Sequence, residues 1–178
     1  EGLLTGSIEV MDPFGNLQVE AIAKAEQFRL DNDSIGTLDL STTYARNSGK
    51  VTFRTISVNE GYNFDLSGLI NTTDSLSDDI DINTTFNQTK IGILQQYLSG
   101  IFSKLEGRAT GNLRIKGKAN SLKYLGDVSL NDGGLLVDYT KVYYKIPAAQ
   151  VKFTDGLIDF GKFQFVDTLG NKGELTDG

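Results

Sequence analysis

The 178-residue sequence contains no cysteine, no histidine and no tryptophan. Without cysteine it has no disulfide, no thiolate ligand and no redox pair. Without histidine it has no histidine-dependent triad, no histidine-ligated zinc and no ready proton switch near neutral pH. Basic residues are also scarce: the formal charge is −6 and the pI about 4.6. Nucleic-acid binding needs clustered Lys and Arg, so it is not expected. No hydrophobic run approaches the length of a membrane span. Only 2 prolines occur, which excludes a proline-rich linker.

What the chain does have is glycine, 20 residues of it, with abundant Thr, Asn and Asp. This is the composition of strands separated by frequent turns. Hydrophobic residues make up 39%, little for a thick core. Starting at Glu1 and ending on Leu175-Thr-Asp-Gly, the chain reads as one segment excised from a longer protein.

Period-two alternation runs through most of it. Leu3–Met11 ends at an Asp12-Pro13-Phe14-Gly15-Asn16 turn. In Leu17–Leu30, apolar parity changes between Ala23 and Phe28, which predicts a bulge near Ala25 to Gln27. Leu38, Leu40 and Tyr44 share one face of the next strand. Val51 and Phe53 differ in parity from Ile56 and Val58, predicting a second bulge or a corner. Phe64 and Leu66 share a face with Tyr62. Asn71 to Asp79 reads as an acidic loop, and Ile80, Ile82 and Phe86 as a short strand. After Glu106, strands are expected at Ala109–Ala119, Leu125–Leu130, Leu135–Tyr144, Ala149–Phe153, Leu157–Phe160 and Phe163–Val166. The intervening turns fall at Asp132-Gly133-Gly134, Thr154-Asp155-Gly156 and Leu169-Gly170-Asn171. Such tight connections make consecutive strands antiparallel neighbours. Lys116, Lys118 and Lys123 read as the solvated side of an edge strand.

Lys90–Leu105 has another rhythm. Ile91, Leu94, Leu98, Ile101, Phe102 and Leu105 recur every three or four residues, one face of a helix. Its polar face has few cations, so it is expected to cap or cover an open sheet edge rather than lie on a membrane. The organisation is thus strands over 1–89, a short α-helix over 90–105 and a strand meander over 106–178. The fold class is all-β, a long twisted antiparallel sheet.

No site for chemistry stands out. Asp31-Asn32-Asp33-Ser34-Ile35-Gly36 has Ile where a calcium loop needs an oxygen ligand, and Thr42 where it needs Glu, so it reads as a turn. Asp78-Asp79-Ile80-Asp81 reads as a solvated loop. Three Asn-x-Thr matches begin at Asn71, Asn83 and Asn87 and are expected by chance in a Thr- and Asn-rich sheet. No phosphate loop, acid–base carboxylate pair or activated nucleophile is found. The reading is of a non-enzyme that needs no cofactor and no metal. Its candidate functional part is an apolar face. Leu113, Ile115, Val128, Leu130 and Val137 supply one part of it. Val151, Phe153, Ile158, Phe160, Phe163 and Phe165 supply another. From periodicity alone, the core of a closed sandwich is the better reading of these residues and an open trough the second, because closed cores are commoner.

Two stretches carry a family resemblance: Gly111-Asn112-Leu113-Arg114-Ile115-Lys116-Gly117 and Leu125-Gly126-Asp127-Val128-Ser129-Leu130. Asp132-Gly133-Gly134-Leu135, Tyr143-Tyr144, Val151-Lys152-Phe153-Thr154-Asp155-Gly156 and the Asp167–Asn171 turn extend it. In this order and spacing they resemble the C-terminal region of the TamB family, within the AsmA-like group of bacterial envelope proteins. From Glu1 to Asn87 only the strand-and-turn style is shared. Ser121–Leu125 stands where such repeats often carry Pro.

The resemblance implies a sheet folded into a taco or half-pipe with an apolar concave face. It places Leu38, Leu40, Phe64 and Leu66 in a lipid groove with the residues named above. It implies a periplasmic segment of a Gram-negative, inner-membrane-anchored bridge that carries phospholipid toward the outer membrane. A phospholipid exposing roughly 30 methylenes to water, at about 0.8 kcal/mol each, faces a barrier of about 24 kcal/mol that such a groove would lower. Implied partners are phospholipid acyl chains, neighbouring segments of the parent chain and an outer-membrane barrel of the TamA type. Two other readings compete with lipid transfer. One is a scaffold that templates outer-membrane strands on an open edge. The other is an adhesin-like sandwich.

Overall fold

The computed structural model describes residues 1–30, 33–73, 79–97 and 102–176. The first half contributes β1 (Leu3–Met11), β2 (Gln18–Leu30), β3 (Asp33–Ala45), β4 (Lys50–Asn59), β5 (Tyr62–Asn71) and β6 (Ile80–Lys90). A 3₁₀ turn over Ile91–Tyr97 follows. The second half adds β7 (Phe102–Lys118), β8 (Ser121–Val137), β9 (Val142–Thr154), β10 (Leu157–Asp159), β11 (Phe163–Asp167) and β12 (Lys172–Leu175).

All twelve strands belong to one sheet, and from β1 to β9 each pairs with the next in antiparallel register. Beyond β9 the sheet divides, with β10 pairing one end of β9 and β11 the other, before β12 closes the order. β1 and β12 do not meet, so the sheet is not closed. It curls into a half-pipe with its apolar face on the inside. A sandwich needs two packed sheets, and the described strands form one, so that reading of the apolar face is corrected.

Residues directly opposed across an antiparallel ladder share a face. The register can therefore be followed strand by strand. One row runs Leu40–Thr55–Leu66–Thr84–Leu113–Gly126–Phe153–Ile158, from β3 to β10. A second runs Ile8–Ala21–Thr42–Phe53–Gly68–Ile82–Ile115–Tyr124, from β1 to β8. Both rows lie on the inner face. On the outer face the corresponding row is Lys24–Asp39–Ile56–Asp65–Thr85–Asn112–Asp127–Lys152–Asp159, with a single apolar member.

Inserted residues keep this segregation along the strands. Register slips between Ala25 and Phe28 in β2, between Phe86 and Thr89 in β6, and opposite Glu106 to Arg108 in β8. Gln27, Gln88 and Asp132 occupy these sites in the left-handed region, with φ of 51°, 53° and 51°. Each extra residue reverses the parity, so Phe28, Thr89 and Leu135 return to the inner face. In β9, buried Ala149 and Ile146 flank the exposed pair Pro147 and Ala148, the same reversal beside the β8 bulge.

The predicted bulge near Ala25 to Gln27 is therefore present. The one predicted between Phe53 and Ile56 is not. β4 pairs with β5 without interruption, and Ile56 and Val58 simply face outward. Asp132-Gly133-Gly134 is a bulge within one long strand rather than a turn, and the chain reverses at Asp138–Lys141. β7 and β8 are interior strands, so Lys116, Lys118 and Lys123 decorate the outer face and do not guard an edge. Lys118 and Lys123 pair there with Asp79 and Asp155.

The predicted α-helix over 90–105 is also corrected. Its first part is the 3₁₀ turn, residues 98–101 lie outside the described ones, and β7 already begins at Phe102. Gly92 and Gly100 weaken a helix here, while Leu105 finds a ladder partner in Leu135. The segment covers part of the inner face rather than a sheet edge. The turn lies along β7 and brings Ile93 onto a cluster of Ala25, Ile35, Leu38 and Tyr62. Within this cluster Ile35 and Tyr62 are only 2% exposed.

Candidate functional site

Beyond the Ile93 cluster the inner face has no covering layer among the described residues. Leu66, Leu113, Ile115, Val128, Leu130, Val151 and Phe153 are each half-buried. They are flanked by strand neighbours on the sheet and left open above it. Glycines set the depth of this surface at two places. A Cβ on Gly68 would lie 2.7 Å from the Phe53 ring, so the glycine lets that ring lie flat against the strand. Gly126 has φ +146°, and a Cβ there would come within 2.2 Å of the Asn112 carbonyl oxygen, so β7 and β8 approach closely only because it is glycine.

The structure places the predicted groove residues in five settings. Leu38 is buried in the Ile93 cluster, and Leu40 and Phe64 pack against it. The seven half-buried residues named above form the open floor. Val137 faces Val142 at the base of the β8–β9 hairpin, on the inner face after the Asp132 bulge. Ile158 and Phe160 are exposed at the β10 margin.

Phe163 and Phe165 line a separate cleft of about 210 Å³ with Leu135, Tyr144 and Ile146. Its walls are aromatic. Tyr144 and Phe165 meet edge to face at 5.5 Å, and Phe163 and Phe165 lie 6.3 Å apart. This cleft needs Tyr144 and Ile146 on the same side as Phe153, a sharing that simple alternation along β9 does not give. Phe53, Ile82 and Phe86 also belong to the floor. Their alternation with Thr52, Asn83 and Thr85 was available as a signal.

Among the described residues, ion pairs lie on the outer face and at the sheet margins. Arg54 holds Asp65 with two hydrogen bonds, and Arg114 holds Asp81 the same way. In each case the guanidinium donation depresses the carboxyl pKa. Lys24 pairs with Asp39 at 3.6 Å. Glu106 accepts from Tyr143, which lowers the carboxyl pKa and pushes the phenol up to about 12.

A depression of about 450 Å³ lies on this outer side around Ile22 and Ile56. On its charged rim Lys24 pairs with Asp39 and Arg54 with Asp65. Among the described residues no cluster of acidic side chains could hold a metal ion. Asp31 and Asn32 of the calcium-like stretch lie outside them, and Ile35 of that stretch is core. Among the described residues no helix is long and apolar enough to cross a membrane.

The chain matches no protein-family model, no curated protein and no solved structure.

Proposed function

We propose that the inner face of the half-pipe shields phospholipid acyl chains, and that the chain is one segment of a lipid-transfer bridge across a Gram-negative periplasm. The observation that carries this reading is the division of the sheet. Rows rich in apolar residues run across an unclosed sheet, with no layer over them beyond the Ile93 cluster among the described residues, while the described ion pairs lie on the other face and at the margins. Covering half the surface of roughly 30 methylenes would recover about 12 kcal/mol, enough to hold a lipid while its head group stays in water. The resemblance of Gly111–Asn171 to the TamB family supports the same reading and supplies its cellular setting. The role is binding and conduction rather than catalysis.

Binding of a phospholipid with a fluorescent acyl chain tests it. Wild-type protein raises the emission at saturating lipid. Leu113→Asp combined with Ile115→Asp, which places two charges on the open floor, weakens binding at least about tenfold, because each buried charge costs more than the 1.4 kcal/mol that tenfold requires. Arg114→Asp on the outer face leaves it unchanged. Equal binding by all three proteins contradicts the proposal. A scaffold that templates outer-membrane strands would use the sheet edge instead, and its partner binding would survive the inner-face charges.

A further inference from the structure

We infer that a pocket on the rim of the half-pipe, between β6, β7 and β8, holds the head group of the bound lipid and selects a phosphodiester that carries a primary ammonium. The inference rests on the acyl-chain reading above and concerns the part of the lipid that the apolar floor leaves in water. The pocket has a volume of about 320 Å³, at the small end of the range for ligand sites. It lies at the margin where β3 and β5 begin and β6 ends, beside the bulge between β7 and β8.

The pocket straddles the two faces of the sheet. Leu105, opposite Leu135, brings the inner face into it. Lys90 and Arg108 oppose each other one position beyond the inner-facing Thr89 and Ala109, and so enter it from the other side. Gly107 is the boundary with the open floor. A Cβ there would lie 3.0 Å from Leu130 Cδ1, so only a glycine stands between the pocket and that floor residue. An acyl chain resting on Leu130 therefore has its head group at the pocket.

The charges inside are unevenly satisfied. Asp33 accepts from the Tyr62 hydroxyl at 2.7 Å, and Glu106 accepts from Tyr143 and pairs with Lys104 at 2.9 Å. The cations of the pocket are not matched to these acids. Lys90 extends across Gly61 and sets its ammonium over the Tyr62 ring, 5.7 Å from the centroid. Arg108 donates one N–H to the Gln88 carbonyl at 3.1 Å. Neither cation makes an ion pair among the described residues, although the two are directly opposed, an arrangement that costs stability when nothing negative lies between them. The Asp132 carboxylate likewise has no hydrogen bond or ion pair among the described residues, and the bulge holds its backbone at φ 51°.

Two cations and one carboxylate thus remain for a ligand. A phosphodiester accepts from the Lys90 ammonium and the Arg108 guanidinium. A primary ammonium at the far end of the same head group donates to Asp132. A head group ending in glycerol leaves Asp132 without a counter-charge, and inorganic phosphate lacks both the ammonium and the acyl chains.

Two lipids with the same fluorescent acyl chain, a phosphatidylethanolamine and a phosphatidylglycerol, test the site. Wild-type protein binds the first at least about threefold more tightly. Asp132→Asn keeps the size of the side chain and suits the left-handed backbone. It removes the preference by weakening binding of the ethanolamine lipid alone, whereas a folding defect would weaken both. Lys90→Gln combined with Arg108→Gln weakens both lipids about tenfold, because both carry the phosphate. Millimolar inorganic phosphate displaces neither. Equal binding of the two lipids by the wild-type chain, a preference that survives Asp132→Asn, or full displacement by millimolar phosphate would each overturn the inference while leaving acyl-chain binding in place. Binding of neither lipid by the wild-type chain would instead overturn the acyl-chain reading, and the head-group site with it.

Discussion

Asn59 carries a task that belongs to backbone elsewhere in the sheet. The β3–β4 ladder ends at Asp39 and Ile56. Beyond it the Asn59 amide accepts from the Thr37 N–H at 3.1 Å and donates to the Thr37 carbonyl, continuing the ladder with a side chain. Gly36 leaves room for that amide, since a Cβ there would lie 2.6 Å from it. Asn59→Ala strands both Thr37 groups and is expected to lower unfolding stability in urea by about 2 kcal/mol. Tyr62 sits beside it, with its hydroxyl donating to Asp33 at 2.7 Å. Burial first, then the hydrogen bond to the Asp33 carboxylate, raises the Tyr62 pKa above its ordinary value. The unfolded phenol ionises near pH 10 while the folded one stays neutral. Its contribution is therefore complete below about pH 10 and is lost as pH rises toward the folded value, by up to about 1.4 kcal/mol per pH unit. Denaturation from pH 8 to 11 should show this alkaline fall, and Tyr62→Phe should flatten it.

At the scale of strands, the bulges decide which face each residue takes. Gln27 is exposed and held at φ 51°, a conformation that glycine adopts without strain. Gln27→Gly is expected to raise stability by about 0.5–1 kcal/mol. Deleting Gln27 has the opposite sign. It turns Phe28 and Leu30 away from the Ile35 cluster, and a loss of more than about 2 kcal/mol is expected in the same urea titration.

The strand pattern was legible in sequence because alternation and Gly/Asn/Asp turns are local signals. The β2 bulge was legible because Ala23 and Phe28 are both apolar on opposite parities. The β8 bulge was not, because Asp132-Gly133-Gly134 carries the same residues a hairpin turn would. The helix periodicity of Lys90–Leu105 misled because Leu105 serves equally well opposite Leu135 in a ladder. The aromatic cleft was half legible. Phe163 and Phe165 alternate plainly, but Tyr144 joins them only through the reversal around Pro147.

For the whole molecule, an open face and a sealed core make different energetic demands. Ile35 is enclosed by the cluster under Ile93, and Ile35→Ala should cost about 3 kcal/mol. Ile115 lies on the open floor with solvent above it. Ile115→Ala should cost less, about 1–2 kcal/mol, because part of its transfer energy was never gained and the space it leaves opens to solvent. Comparable costs in matched urea titrations would mean that the inner face is covered in solution. Composition had already limited how much of this chain could be core, but nothing in one sequence distinguishes a half-covered face from a sealed one. That distinction rests on the register, which carries the same apolar rows across the sheet without a second layer. It is tested most directly by placing a photo-crosslinking residue at Ile115 or Phe153 on the inner face, and at Arg114 or Lys152 on the outer, in cells. Capture of phospholipid at the first pair and not at the second is predicted; capture only at Arg114 and Lys152 would contradict the account.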